Sequence, residues 1–191
     1  MEEFTNFFII CTIIYIVYVY LKSSQYEVKY IKSTVNNSTY LVRNLPDKQK
    51  ASDLLGEIVK RIEKLRNYLE VKFPKDNRIE RFVKKFNADN ISEGTPDNKY
   101  TSYSVNKGEK IVFCIRSRDE KEELEGINTM MFVALHEVAH IITISVGHTD
   151  EFWKNFRFLL KHAIDIGIYK KVNYNKSPVD YCGMKITDSP L

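Results

Sequence analysis

Apolar positions in residues 46–86 keep helical spacing. Leu55, Ile58, Val59, Ile62, Leu65 and Leu69 recur every three or four residues. They form one stripe on a helix that Pro46-Asp47 opens and Phe73-Pro74 ends. Lys60, Arg61, Lys64 and Arg66 fill the opposite face. A shorter helix follows, with Ile79, Phe82, Val83 and Phe86 inward and Arg78, Arg81, Lys84 and Lys85 outward. Elsewhere the pattern changes to β-type runs. Tyr26 to Asn44 reads as two such runs around Asn36-Asn37, a hairpin. Lys99–Val105 and Lys110–Ser117 flank Asn106-Lys107-Gly108-Glu109, a stronger hairpin signal because of the glycine. Asn90 to Asn98 reads as a turn-rich break, and Arg118 to Gly126 as a charged, solvated connector.

Two stretches are apolar nearly throughout. Ile127 to Ser145 predicts a buried helix capped by Asn128 or Thr129. Thr149 or Asp150 then caps an amphipathic helix with Phe152, Phe156, Leu159 and Ala163 on one side; residues 169–191 predict an irregular tail. The other apolar stretch, Phe4 to Leu21, holds no charge. At about 1.5 Å per residue it spans roughly 27 Å, close to the roughly 30 Å of a bilayer core. A cleaved signal peptide is the alternative, but Glu2-Glu3 precede the run and no small-residue cleavage site follows it. Tyr18 and Tyr20 suit a membrane interface. Lys22, Lys29 and Lys32 all lie on the C-terminal side, which places the rest of the chain in the cytosol as a single-pass protein. The expected division is an anchor at 1–24, a juxtamembrane hairpin at 25–45 and one domain at 46–191.

Composition narrows this picture. The 191 residues are 43% apolar and 28% charged, as in a folded domain. A net charge of +4 permits nucleic acid or anionic lipid as partners without demanding either. Three cysteines without a CxxC pair exclude a thiolate zinc finger, and their odd count suggests reduced thiols. Nothing fixes an oligomeric state.

Three of the four histidines lie within His136 to Trp153, in the sequence HEVAHIITISVGHTDEFW. Residues at i and i+4 share a helix face, so His136 and His140 can hold one ion about 2.0–2.1 Å from each. Glu137 borders that face, where it can take a proton from water. Gly147 permits a sharp reversal, after which His148 is the third candidate ligand. Satisfied core histidines are the plain alternative. Against it, three ionisable groups in an apolar helix are costly without a partner. Tyr174 and Tyr181 are candidates to stabilise a tetrahedral oxyanion. Cys182 is a candidate fourth ligand that would close the site. Phe152 and Trp153 read as supports for His148, and His162 as structural or exposed.

This stretch resembles the core of the WLM family of metalloproteases and is similar to SprT-like proteases. Both carry HExxH on a helix, then a third histidine starting another helix, with an aromatic residue soon after. The matching positions are His136, Glu137, His140, His148 and Phe152-Trp153. The resemblance implies an α+β, minimal zincin-like fold: a small sheet packed on the active-site helix, with an edge strand able to pair with a peptide. It implies Zn2+ as cofactor, Glu137 as general base and a protein or peptide substrate, in known members often a protein crosslinked to DNA. The expectation is thus a zinc metallopeptidase held in a bilayer through residues 4–21. The alternatives are a DNA-associated protease of crosslinks and a zinc-stabilised protein without catalysis.

Overall fold

The computed structural model describes residues 2–24 and 27–191. Met1 lies outside the described residues, as do Gln25 and Tyr26, where the first hairpin was expected to begin. Helix α1 (Glu2–Ser24) exposes every side chain from Phe4 to Leu21. Among the described residues it is the one helix long and apolar enough to cross a membrane. No side chain of the run Phe4–Leu21 is buried against the other described residues.

Five strands form one mixed sheet: β1 (Val28–Lys32), β2 (Thr39–Arg43), β3 (Ile91–Glu93), β4 (Tyr103–Val105) and β5 (Lys110–Phe113). Their order is β1-β2-β3-β5-β4. β1–β2 and β4–β5 are antiparallel hairpins, while β3 pairs in parallel with both β2 and β5. The hairpin expected as a segment of its own at 25–45 shares this sheet with the rest. Tyr40 and Val42 alternate from it into the core, as a period of two requires.

Strand β3 corrects the reading of Asn90 to Asn98 as a break. All three of its residues are buried. A run so short, bracketed by Asn and by Gly94-Thr95-Pro96, shows no alternation. Its neighbours on both sides hold it, not its own propensity. The parallel step from β2 to β3 needs a long crossover, and α2 (Lys48–Lys72) with α3 (Asn77–Lys85) supply it. The stripe Leu55, Ile58, Val59, Ile62, Leu65 and Leu69 is buried.

Helices α4 (Ile127–Ile142) and α5 (Asp150–Asp165) pack against each other and complete the core. Gly126 takes the N-cap of α4, not Asn128 or Thr129. The Asn128 amide is engaged instead by both backbone groups of Lys170, at 2.8 and 3.0 Å. Thr149 caps α5, accepting from the Phe152 N–H. The tail is not wholly irregular: β6 (Val179–Tyr181) and β7 (Met184–Ile186) form a hairpin. A disulfide joins Cys114, just after β5, to Cys182 in the hairpin turn. The expectation of reduced thiols is therefore corrected, and with it falls the cysteine argument for a reducing compartment.

Candidate metal centre

The site is built on the last two turns of α4. His136 and His140 leave the same face, and their Nε2 atoms lie 3.2 Å apart. His148 Nε2 lies 3.1 Å from that of His136. A tetrahedral ion with bonds of about 2.0–2.1 Å holds its ligand atoms about 3.3 Å apart. The two pairs that share His136 have that spacing, and all three nitrogens lie within 4.8 Å of one another. The donor set therefore fits a divalent ion.

The return of His148 depends on the segment Thr143–Thr149. Gly147 takes a φ of +84°, in the left-handed region. Lys107, in the β4–β5 turn, donates to the carbonyls of Thr143, Ile144 and Ser145 at 2.7, 2.6 and 3.1 Å. A cation there matches the negative end of α4. Glu151 accepts from the Ile144 and Ser145 N–H groups at 3.0 and 3.1 Å, which holds its carboxyl at a pKa of about 2. Arg81 donates to Ile142 O and Asn155 to Thr143 Oγ1. Phe152, fully buried, lies against all three imidazoles, with ring centroids 4.8, 4.4 and 4.7 Å from those of His136, His140 and His148.

Burial decides the protonation states. It lowers His136 to a pKa of about 3, with help from the His140 and His148 rings, and His140 to about 4, with help from His148 and the Lys107 ammonium. Both are neutral at pH 7, the form a metal needs. Glu137 is 5% exposed, and burial raises its carboxyl to about 7. The Ser104 N–H of β4 faces that carboxyl and opposes the shift. A carboxyl near 7 suits a group that accepts and returns a proton.

The remaining candidates are placed differently. Tyr181 lines the cleft beside Glu137, but its hydroxyl donates to Cys114 O at 2.8 Å and meets Ser102 Oγ at 2.6 Å. Tyr174 packs on Phe132, with ring centroids 4.7 Å apart, and does not line the cleft. Cys182 is bonded to Cys114, which corrects its candidacy as a fourth ligand. Trp153 lies 5.9 Å from the His148 ring and also faces the cleft, so it is more than a support. His162 meets Phe158 edge to face and Phe73 at a tilt, away from the cluster. Sequence reasoning missed Lys107, Glu151 and Ser104. Only Glu151 gave any signal, as an acidic residue in the first turn of α5.

The WLM domain family matches residues 79–188. Protein R325 of Acanthamoeba polyphaga mimivirus is 38% identical over 97% of this chain and 96% of its own. Protein 136R of Invertebrate iridescent virus 6 is 36% identical over 36% of this chain and 38% of its own. Among solved structures, Wss1 from Saccharomyces cerevisiae is similar in fold. Its TM-score is 0.51 at 22% identity, covering 66% of this chain and 87% of that one.

Proposed function

This chain belongs to the WLM family, and from that premise we propose that it is a membrane-anchored zinc metallopeptidase that hydrolyses protein or peptide bonds. The observation that carries the reading is the convergence of three imidazole nitrogens beside a buried carboxyl. His136, His140 and His148 would hold the ion. When bound, zinc supplies Lewis acidity that polarises a carbonyl and lowers the pKa of water toward about 7.

The chain's own residues supply the rest. The Glu137 carboxylate takes the proton of the attacking water and returns it to the departing amine nitrogen. The Ser104 N–H faces that carboxylate and favours its charged form. Phe152 fixes the planes of the three rings. Strand β4 is the edge of the sheet, where an extended peptide can add as a further strand.

In this reading residues 1–24 anchor the protein, and the hairpin at 25–45 joins them to residues 46–191, whose sheet it shares. The lysines after the anchor favour a cytosolic domain. The disulfide favours oxidising surroundings. Protection of the domain from added protease in sealed membranes decides between the two.

The test uses the full chain in detergent with an unfolded protein as substrate. Cleavage is expected with one equivalent of zinc and is lost on chelation. Cleavage that ignores a chelator would overturn the reading. So would a zinc-loaded chain that cuts neither unfolded proteins nor peptides.

A further inference from the structure

We propose that the cavity beside the three histidines is a specificity pocket for one large apolar side chain, carried by a substrate residue that flanks the cleaved bond. The proposal rests on the peptidase reading and adds a substrate preference to it. The cavity measures about 380 Å³, and His136, Glu137 and His148 form part of its wall. Whatever fills it therefore lies next to the reacting carbonyl.

The apolar part of the wall comes from three elements, while Thr101, Ser102 and Thr187 add short polar side chains to the lining. Phe132 and Val133 stand one helical turn before His136 and Glu137, on the same face of α4. Trp153 and Phe156 come from α5, and Met184 and Ile186 from β7. Met184 is 48% exposed and Trp153 half-buried, so apolar surface remains to be covered. The polar groups offer little to a charged guest. The Tyr181 hydroxyl already serves Cys114 and Ser102. Lys185 and Asp188 line the same cavity but are solvent-exposed, and Glu137 is reserved for proton transfer. A charged side chain entering here would lose its water and gain only the solvent-screened charges of Lys185 or Asp188, which return little, whereas an aromatic or long aliphatic one would bury its surface. The pocket therefore selects Phe, Leu or Met over Glu, Lys or Gly.

Trp153 is the single tryptophan of the chain, so its emission reports occupancy without turnover. The experiment uses the full chain in detergent, zinc-loaded and carrying Glu137→Gln. It is titrated with tryptophan-free peptides that differ only in one central residue: Phe, Leu, Lys, Glu or Gly. The Phe and Leu peptides are expected to shift the emission and to bind about tenfold or more tightly than the others. Met184→Glu should erase most of that preference while zinc content stays the same. Equal binding of all five peptides overturns the proposal, as does tighter binding of Lys or Glu, or an unchanged preference in Met184→Glu. The unsubstituted enzyme separates the two readings. Cleavage of an unfolded protein with no preference beside the cut overturns the pocket and leaves the peptidase standing. Selective emission shifts from an enzyme that cuts nothing support the pocket and overturn the peptidase.

Discussion

Two groups of ionisable side chains are withdrawn from water in this domain, and they differ in whether the chain completes them. Around Arg116 every charge meets its opposite. Its guanidinium holds Asp47 at 2.7 and 2.8 Å and Glu93 at 2.7 Å, while Arg43 takes Glu122 at 2.7 Å. The Arg43 backbone N–H serves the second oxygen of Glu93. This network ties β2, β3, the start of α2 and the segment after β5 into one unit. Around His136 the opposite holds. Three ring nitrogens face one another, beside a carboxyl that burial keeps near a pKa of 7. Groups that satisfy one another are structural. Groups that converge without satisfying one another mark a place for something from outside the chain.

The comparison can be broken from either end. The largest effect is expected at the incomplete cluster: Glu137→Gln should lower kcat by about 10²–10⁴-fold, with zinc content and thermal midpoint unchanged. Stopped assays alongside metal analysis would show it, and a lowered midpoint would make Glu137 a structural residue. The complete cluster should respond in reverse. Arg116→Met strands Glu93, which is almost fully buried, and should cost about 3–5 kcal/mol in denaturant unfolding. Activity per folded molecule should survive that change. Zinc removal comes next. At a free concentration 1,000 times its Kd, zinc stabilises by about 4 kcal/mol, so chelation should lower the midpoint of the parent chain and leave that of His148→Ala nearly unmoved.

The smallest effect concerns acid. The hydrogen bond from Arg116 holds the Asp47 carboxyl below its usual pKa. A depressed folded pKa contributes stability that is present above the unfolded value. That stability is lost as pH falls through the folded value. Unfolding free energy should thus decline below about pH 4 in the parent chain, and less steeply in Asp47→Asn. At neutral pH the substitution should cost about 1 kcal/mol or less, since a third of the Asp47 side chain is exposed.

What the sequence discloses follows the range over which each feature is determined. The α2 stripe and the pairing of His136 with His140 are local consequences of helical geometry, so spacing reveals them. The approach of His148 is not local. It depends on Lys107 from a distant hairpin and on Glu151 reaching back along the chain, contacts with no period to read. Strand β3 is hidden for a similar reason, since three residues acquire their conformation from strands on either side. The Cys114–Cys182 bond joins residues 68 apart, and counting cysteines cannot choose that pair. It stitches the wall that carries Tyr181 and Met184 to the sheet, so one side of the cleft is set by a link that spacing could not reveal.

The contrast between the complete and the incomplete cluster is tested most directly by X-ray absorption at the zinc edge on the full chain loaded with one equivalent of metal. Three nitrogen neighbours and one exchangeable oxygen are expected at about 2.0–2.1 Å. A sulfur neighbour at about 2.3 Å, a fourth protein ligand, or a chain that retains no stoichiometric zinc would contradict it.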